Sequence, residues 1–194
     1  MTTHLSLQRI LLPSAQVSSL TTGSITLPSA RGQAVEYANN YDYELISTTT
    51  ISNGDSSTTW LSLPSTRTGY TIEYTGNFSA ATSLMLRFNG DTGNNYDYGY
   101  YRGTTASGKQ NNQSGGQVGY SGSSRQVTGR IDIYGCDNTD GNATAFHRGS
   151  AINESFTHGF MMWKNTAAVS SMTLYTTGGT WATTGYIFLY GWKR

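Results

Sequence analysis

From Tyr41 onward, apolar and polar residues alternate in short runs separated by clusters of turn residues. A period of two sends successive side chains to opposite faces of an extended chain, so the pattern predicts half-buried β-strands. The runs lie at 44–51, 58–63, 70–78, 84–88, 95–102, 125–134, 143–152, 156–163, 169–175 and 186–192. Within 70–78, Tyr70, Ile72 and Tyr74 share one face, and Thr71, Glu73 and Thr75 share the other. Asn53-Gly54-Asp55 reads as a tight hairpin turn, and Gly178-Gly179 as a second. Asn89-Gly90-Asp91 breaks the run after Phe88, and Pro64 ends the one before it. The Gly/Ser/Gln/Asn-rich stretch 103–124 reads as a long loop or weak hairpin. No helical periodicity is sustained, and no internal repeat is visible. Short strands at regular spacing predict an all-β sandwich or barrel.

Residues 1–40 follow a different pattern. Leu5, Leu7, Ile10, Leu11, Leu12 and Val17 make a short apolar segment interrupted by Pro13. Leu20, Ile25 and Leu27 follow in Ser/Thr-rich surroundings. The segment fits an extended arm with apolar teeth, and equally a small strand pair around Gly23. The domain expectation is therefore an arm over 1–40 and a β-sandwich over 41–194.

Composition sharpens this picture. Charged residues make up only 12% of the 194 positions, about half the share of an average soluble domain. Low charge combined with poor hydrophobicity would suggest disorder. The 14 Tyr, 6 Phe and 4 Trp argue for an ordered sheet instead. A net charge of +1 with no basic stripe gives nucleic acid nothing to bind. Weak self-repulsion makes association easy. The single Cys136 excludes an intrachain disulfide. No basic-then-apolar leader and no membrane-length apolar run is seen.

Candidate chemistry is sparse. His4 lies in the arm. His147 and His158, with Glu154 between them in sequence, form the one conceivable acid–base or metal trio, but no metal-ligand spacing accompanies them. Cys136 has no local base to activate it and reads as a buried thiol. The stretches 137–142 and 89–95 place oxygen ligands as a calcium loop does, yet 137–142 lacks the closing acid, and both read more simply as turns. Tyr96, Tyr98 and Tyr100 share one face of a strand, with Asp97 and Tyr101 on the other. These tyrosines suit a sugar contact, a subunit seam or a core.

Three segments carry a resemblance. They are Tyr43 to Thr50 with its following turn and Leu-Pro corner, Leu84 to Tyr96 through Asn89-Gly90-Asp91, and Trp163 to Gly191 through Val169-Ser170-Ser171-Met172 and Ile187-Phe188-Leu189-Tyr190. In this order they resemble a domain of tailed-bacteriophage structural proteins, found in head decoration, minor tail and tail-fibre proteins. The resemblance spans about Tyr41 to Trp192. Gly185-Tyr186 departs from it, since a small residue is expected after the glycine. It implies a jelly-roll β-sandwich on the virion surface, often a homotrimer, with no catalytic residues and no cofactor. The expected role is a capsid decoration (cement) protein. Leu5, Leu7, Ile10, Leu11, Leu20, Ile25 and Leu27 would hold the major capsid protein or a tail protein. Phe156, Phe160, Met161 and Trp163 would join a subunit contact. The alternative is a tail-tip or tail-fibre domain binding a host glycan through Tyr96, Tyr98, Tyr100 or Tyr101. A secreted lectin or hydrolase is a third reading, disfavoured by the missing leader and missing acid pairs.

Overall fold

The computed structural model describes residues 43–103, 106–121, 126–137, 139–151 and 156–192. The arm residues Leu5 to Leu27, His4 and Glu154 lie outside them. The described residues form twelve strands and no helix. These are β1 (Tyr43–Ile51), β2 (Ser57–Trp60), β3 (Gly69–Asn77), β4 (Thr82–Phe88), β5 (Tyr96–Arg102) and β6 (Ala106–Gln113), then β7 (Gly116–Ser121), β8 (Gln126–Tyr134), β9 (Ala143–Ala151), β10 (Thr157–Trp163), β11 (Met172–Thr176) and β12 (Gly185–Trp192).

The strands make two antiparallel sheets. The large sheet has the order β1-β12-β3-β8-β9-β10-β5-β6, and the small one β2-β11-β4-β7. The pairs β1·β12, β2·β11, β3·β8 and β4·β7 fall alternately in the two sheets. That alternation is what a long antiparallel ribbon produces when it wraps around a core, and it defines a jelly roll. Strands β5–β6 and β9–β10 are additions between ribbon strands, and they widen only the large sheet. The all-β sandwich expected from the alternation is the fold observed, with the jelly-roll-like topology that the resemblance implied.

Three local expectations need correction. Asn53-Gly54-Asp55 does not close a hairpin, because β1 and β2 belong to different sheets. It is a corner, tied down by hydrogen bonds from Gly54 N–H to Trp181 O and from Trp181 N–H to Asp55 O, each 2.8 Å. The Gly178-Gly179 turn likewise carries the chain from the small sheet (β11) to the large one (β12). Within the stretch 103–124 the described residues 106–113 and 116–121 are two strands that do not pair as a hairpin: β6 edges the large sheet, and β7 edges the small one. The glycines of β7 reflect close packing. A Cβ on Gly116 would sit 2.5 Å from Met161 Sδ, and one on Gly119 would sit 2.7 Å from the Tyr74 hydroxyl.

The core lies between the sheets and is built on Trp163, Trp181, Tyr70, Tyr96, Phe78 and Phe88, all fully buried. Tyr70, Ile72 and Tyr74 point into it together, as their alternation predicts. A bulge between Leu45 and Ser47 in β1 lets Ile46 join the core edge. Arg67, also buried, pairs with Glu44 on the same edge strand.

Candidate binding face on the large sheet

Residues directly opposite one another in an antiparallel ladder share a face. The ladders of the large sheet therefore define rows across its outer surface. One row runs Leu45, Tyr190, Thr71, Asp132, Phe146, Phe160. The next, toward the β12 carboxyl end, runs Tyr43, Trp192, Gly69, Tyr134, Thr144, Met162. Together they form an aromatic patch. Tyr43 stacks on Tyr190 at 4.9 Å, and Tyr134 meets Trp192 at 5.2 Å and Phe146 at 6.0 Å, both edge-on. Glycines make this possible. The Trp192 indole lies where a Gly69 Cβ would be, and Phe160 covers Gly99. Leu45 (51% exposed), Phe146 (54%) and Phe160 (44%) nevertheless remain open to solvent. Folding of the subunit itself does not use these apolar areas.

On the other side of the patch the chemistry becomes polar. There the row runs Phe188, Glu73, Arg130, Arg148, His158, Tyr101. Beyond it come Tyr186, Thr75, Thr128 and Ser150. These two rows border a trough of about 530 Å³, floored by the Gly129 and Gly149 backbone. Arg130 donates to Glu73 Oε1 at 3.1 Å and to Asp132 Oδ1 at 2.8 Å. Burial disfavours its charge, but the hydrogen bond and charge of Asp132 outweigh that and raise the guanidinium above its ordinary value. Thr71 also donates to Asp132 Oδ1, at 2.9 Å.

The tyrosines singled out in sequence separate. Tyr96 is buried, stacks with Trp163 at 6.5 Å, and its hydroxyl oxygen accepts the Phe88 N–H at 2.9 Å. Tyr98 packs against the core. Tyr100 lies under the Arg102 guanidinium (4.1 Å), which also covers Tyr120 (3.7 Å) and donates to Gln117 Oε1 at 2.9 Å. This arrangement pins β5 to β7. Tyr101 alone of the four is on the outer face, in a ring cluster with His158 (5.2 Å) and Phe156 (6.1 Å). Of the four apolar contact candidates in β10 and just before it, Phe156 and Phe160 are exposed, whereas Met161 and Trp163 face the core.

The other candidates resolve into structural roles. His147 is buried on the inner face of β9, opposite Gly159, while His158 is on the outer face opposite Arg148. The two imidazoles thus point to opposite sides of one sheet. Cys136 is buried, and its surroundings together with Asp137 push the thiol well above its ordinary value. In the loop after β4, Asp91 accepts from Trp163 Nε1 (2.7 Å), Asn95 Nδ2 (3.0 Å) and Gly93 N (2.8 Å). Burial opposes ionisation of Asp91, but these bonds hold its carboxyl below the ordinary value. Asn89 Oδ1 accepts from the Ser170 and Ser171 amides, and Asn89 Nδ2 donates to Ala168 O. The Asn-Gly-Asp segment is a clamp between loops, and its oxygens are occupied by protein donors. No group of three or more metal-ligating side chains occurs among the described residues.

Arg130, Arg148, Tyr134 and Phe146 did not stand out in sequence. Alternation within 125–134 and 143–152 places each on a face, but only the β8·β9 pairing makes them neighbours.

No family model and no curated protein matches the chain. Among solved structures, the marine PL-14 alginate lyase from Aplysia kurodai aligns with 75% of this chain and 80% of its own, at 9% identity and a TM-score of 0.33. A likeness that slight identifies neither family nor activity.

Proposed function

We propose that this chain is a non-enzymatic structural module that works by packing against copies of itself on a larger particle. The observation that carries this reading is the apolar patch of Leu45, Tyr134, Phe146 and Phe160 on the outer face of the large sheet. A contiguous apolar surface of this kind marks an interaction site. Each such half-exposed side chain withdrawn from water contributes about 1–2 kcal/mol. The near-neutral net charge of +1 opposes self-association little. A second copy is the partner that fits best, because rings, hydroxyls and paired charges on this face complement an identical surface.

The resemblance of three segments to phage structural domains supplies the setting: a virion, with capsid decoration as the first role and the 1–40 arm reaching the neighbouring capsid protein. A tail-tip or fibre location is the second reading, favoured by the polar trough beside the patch. Light scattering on the full chain tests the assembly step. The wild type is expected to be an oligomer, a trimer by the resemblance. Phe146→Ser/Phe160→Ser is expected to be a monomer with unchanged near-UV circular dichroism. A wild-type monomer at high micromolar concentration would overturn the reading.

A further inference from the structure

We propose that the trough bordered by β3, β8, β9 and β12 binds an acidic saccharide, with Arg148 taking its carboxylate. The first argument is electrostatic. Arg130 and Arg148 stand directly opposite each other on adjacent strands, and like charges so placed destabilise a sheet. Arg130 is compensated by Glu73 and Asp132. Arg148 is exposed, and no carboxylate pairs with it among the described residues. The sheet thus carries an uncompensated guanidinium at the wall of a concave site, where a bound carboxylate would neutralise it through two parallel hydrogen bonds.

The second argument is the rest of the lining. The trough, about 530 Å³, is within the roughly 300–1,000 Å³ usual for small-molecule sites. Thr75, Thr128 and Ser150 present hydroxyls on one side, and Phe188 presents a ring on another. The lining also holds Glu73 and Arg130, which are paired with each other, so Arg148 is the cation left for a ligand. Hydroxyl partners, an apolar wall and that guanidinium match the hydroxyls, C–H face and carboxylate of an acidic sugar. A polynucleotide would call for a track of cations along its phosphates, and a bare inorganic anion would leave the ring and hydroxyls unused. The site is independent of the assembly reading, since the aromatic patch occupies the neighbouring rows.

Affinity electrophoresis of the full chain through gels containing polygalacturonate, dextran or dextran sulfate tests this. Polygalacturonate is expected to retard the protein, and dextran is not. Arg148→Gln and Phe188→Ala are each expected to weaken retardation about tenfold. Lys109→Gln removes the same charge from the exposed β6 edge of the large sheet and is expected to bind as wild type. Without ligand, Arg148→Gln is expected to melt higher than wild type, because it removes the opposed pair, and its oligomeric state should not change. Absence of retardation, retardation by neutral dextran, equal loss in Lys109→Gln, or retardation by dextran sulfate that survives Arg148→Gln to the same degree as retardation by polygalacturonate would each overturn the proposal.

Discussion

At the scale of single residues, the chain places its few ionisable groups under strong local control. His147 is the clearest case. It is buried between the sheets, neither ring nitrogen meets a protein partner, and burial, with the positive neighbours His158 and Arg102, lowers its pKa to about 4. The unfolded chain, with an ordinary imidazole, therefore binds more protons than the native state between pH 6.5 and 4. Stability must rise with pH through that window. Its contribution is intact above pH 6.5, falls progressively below it, and levels off below pH 4, for a total of about 3 kcal/mol. Urea unfolding of wild type and His147→Leu at several pH values between 7 and 4.5 checks this, since the variant is expected to lack that part of the slope. Alternation within each strand did not relate His147 to His158, which the sequence allowed to meet; the β9·β10 register, with His147 opposite Gly159 and His158 opposite Arg148, puts them on opposite faces. Burial then shows that the face of His147 is the core side.

At the scale of elements, composition misleads where packing is tightest. The stretch 103–124 has the Gly, Ser, Gln and Asn content of a loop, yet it holds the exposed edge strand β6 and the buried six-residue strand β7. Glycine is required in β7 because Met161 and Tyr74 reach across from the large sheet and occupy the space a side chain would take. Gly116→Val is expected to cost about 1–3 kcal/mol through overpacking. Ser107→Val, on the exposed edge strand β6, is expected to change stability by no more than about 0.5 kcal/mol. Thermal melts of the two variants separate a packed strand from a tolerant loop. Strands β3, β4 and β8 were legible at nearly their observed limits, β3 and β8 because alternate positions face the core, and β4 because its apolar run Leu84-Met85-Leu86 is buried throughout. Their partners were not legible, because a ladder is made by backbone groups that every residue carries.

At the scale of the whole molecule, a jelly-roll sandwich offers one broad sheet face with an apolar patch and a polar trough side by side, and residues 1–40 add a segment with its own apolar teeth. If the arm clamps neighbouring subunits, deletion of residues 1–30 is expected to leave folded oligomers that no longer sediment with capsids, and full binding by the truncated protein would refute the clamp. The amino-acid sequence by itself determined that the chain is all-β, where most strands lie, and which side chains share a face, because those properties follow from a two-residue period and local turn chemistry. Only the tertiary structure decided that the turns at Gly54, Gly90 and Gly178 pass between sheets, that β1 pairs with β12 and β2 with β11, and that Arg130 stands opposite Arg148. Those facts join residues far apart in the chain. They are selected by how two whole sheets close on a common core, and no local pattern encodes that choice.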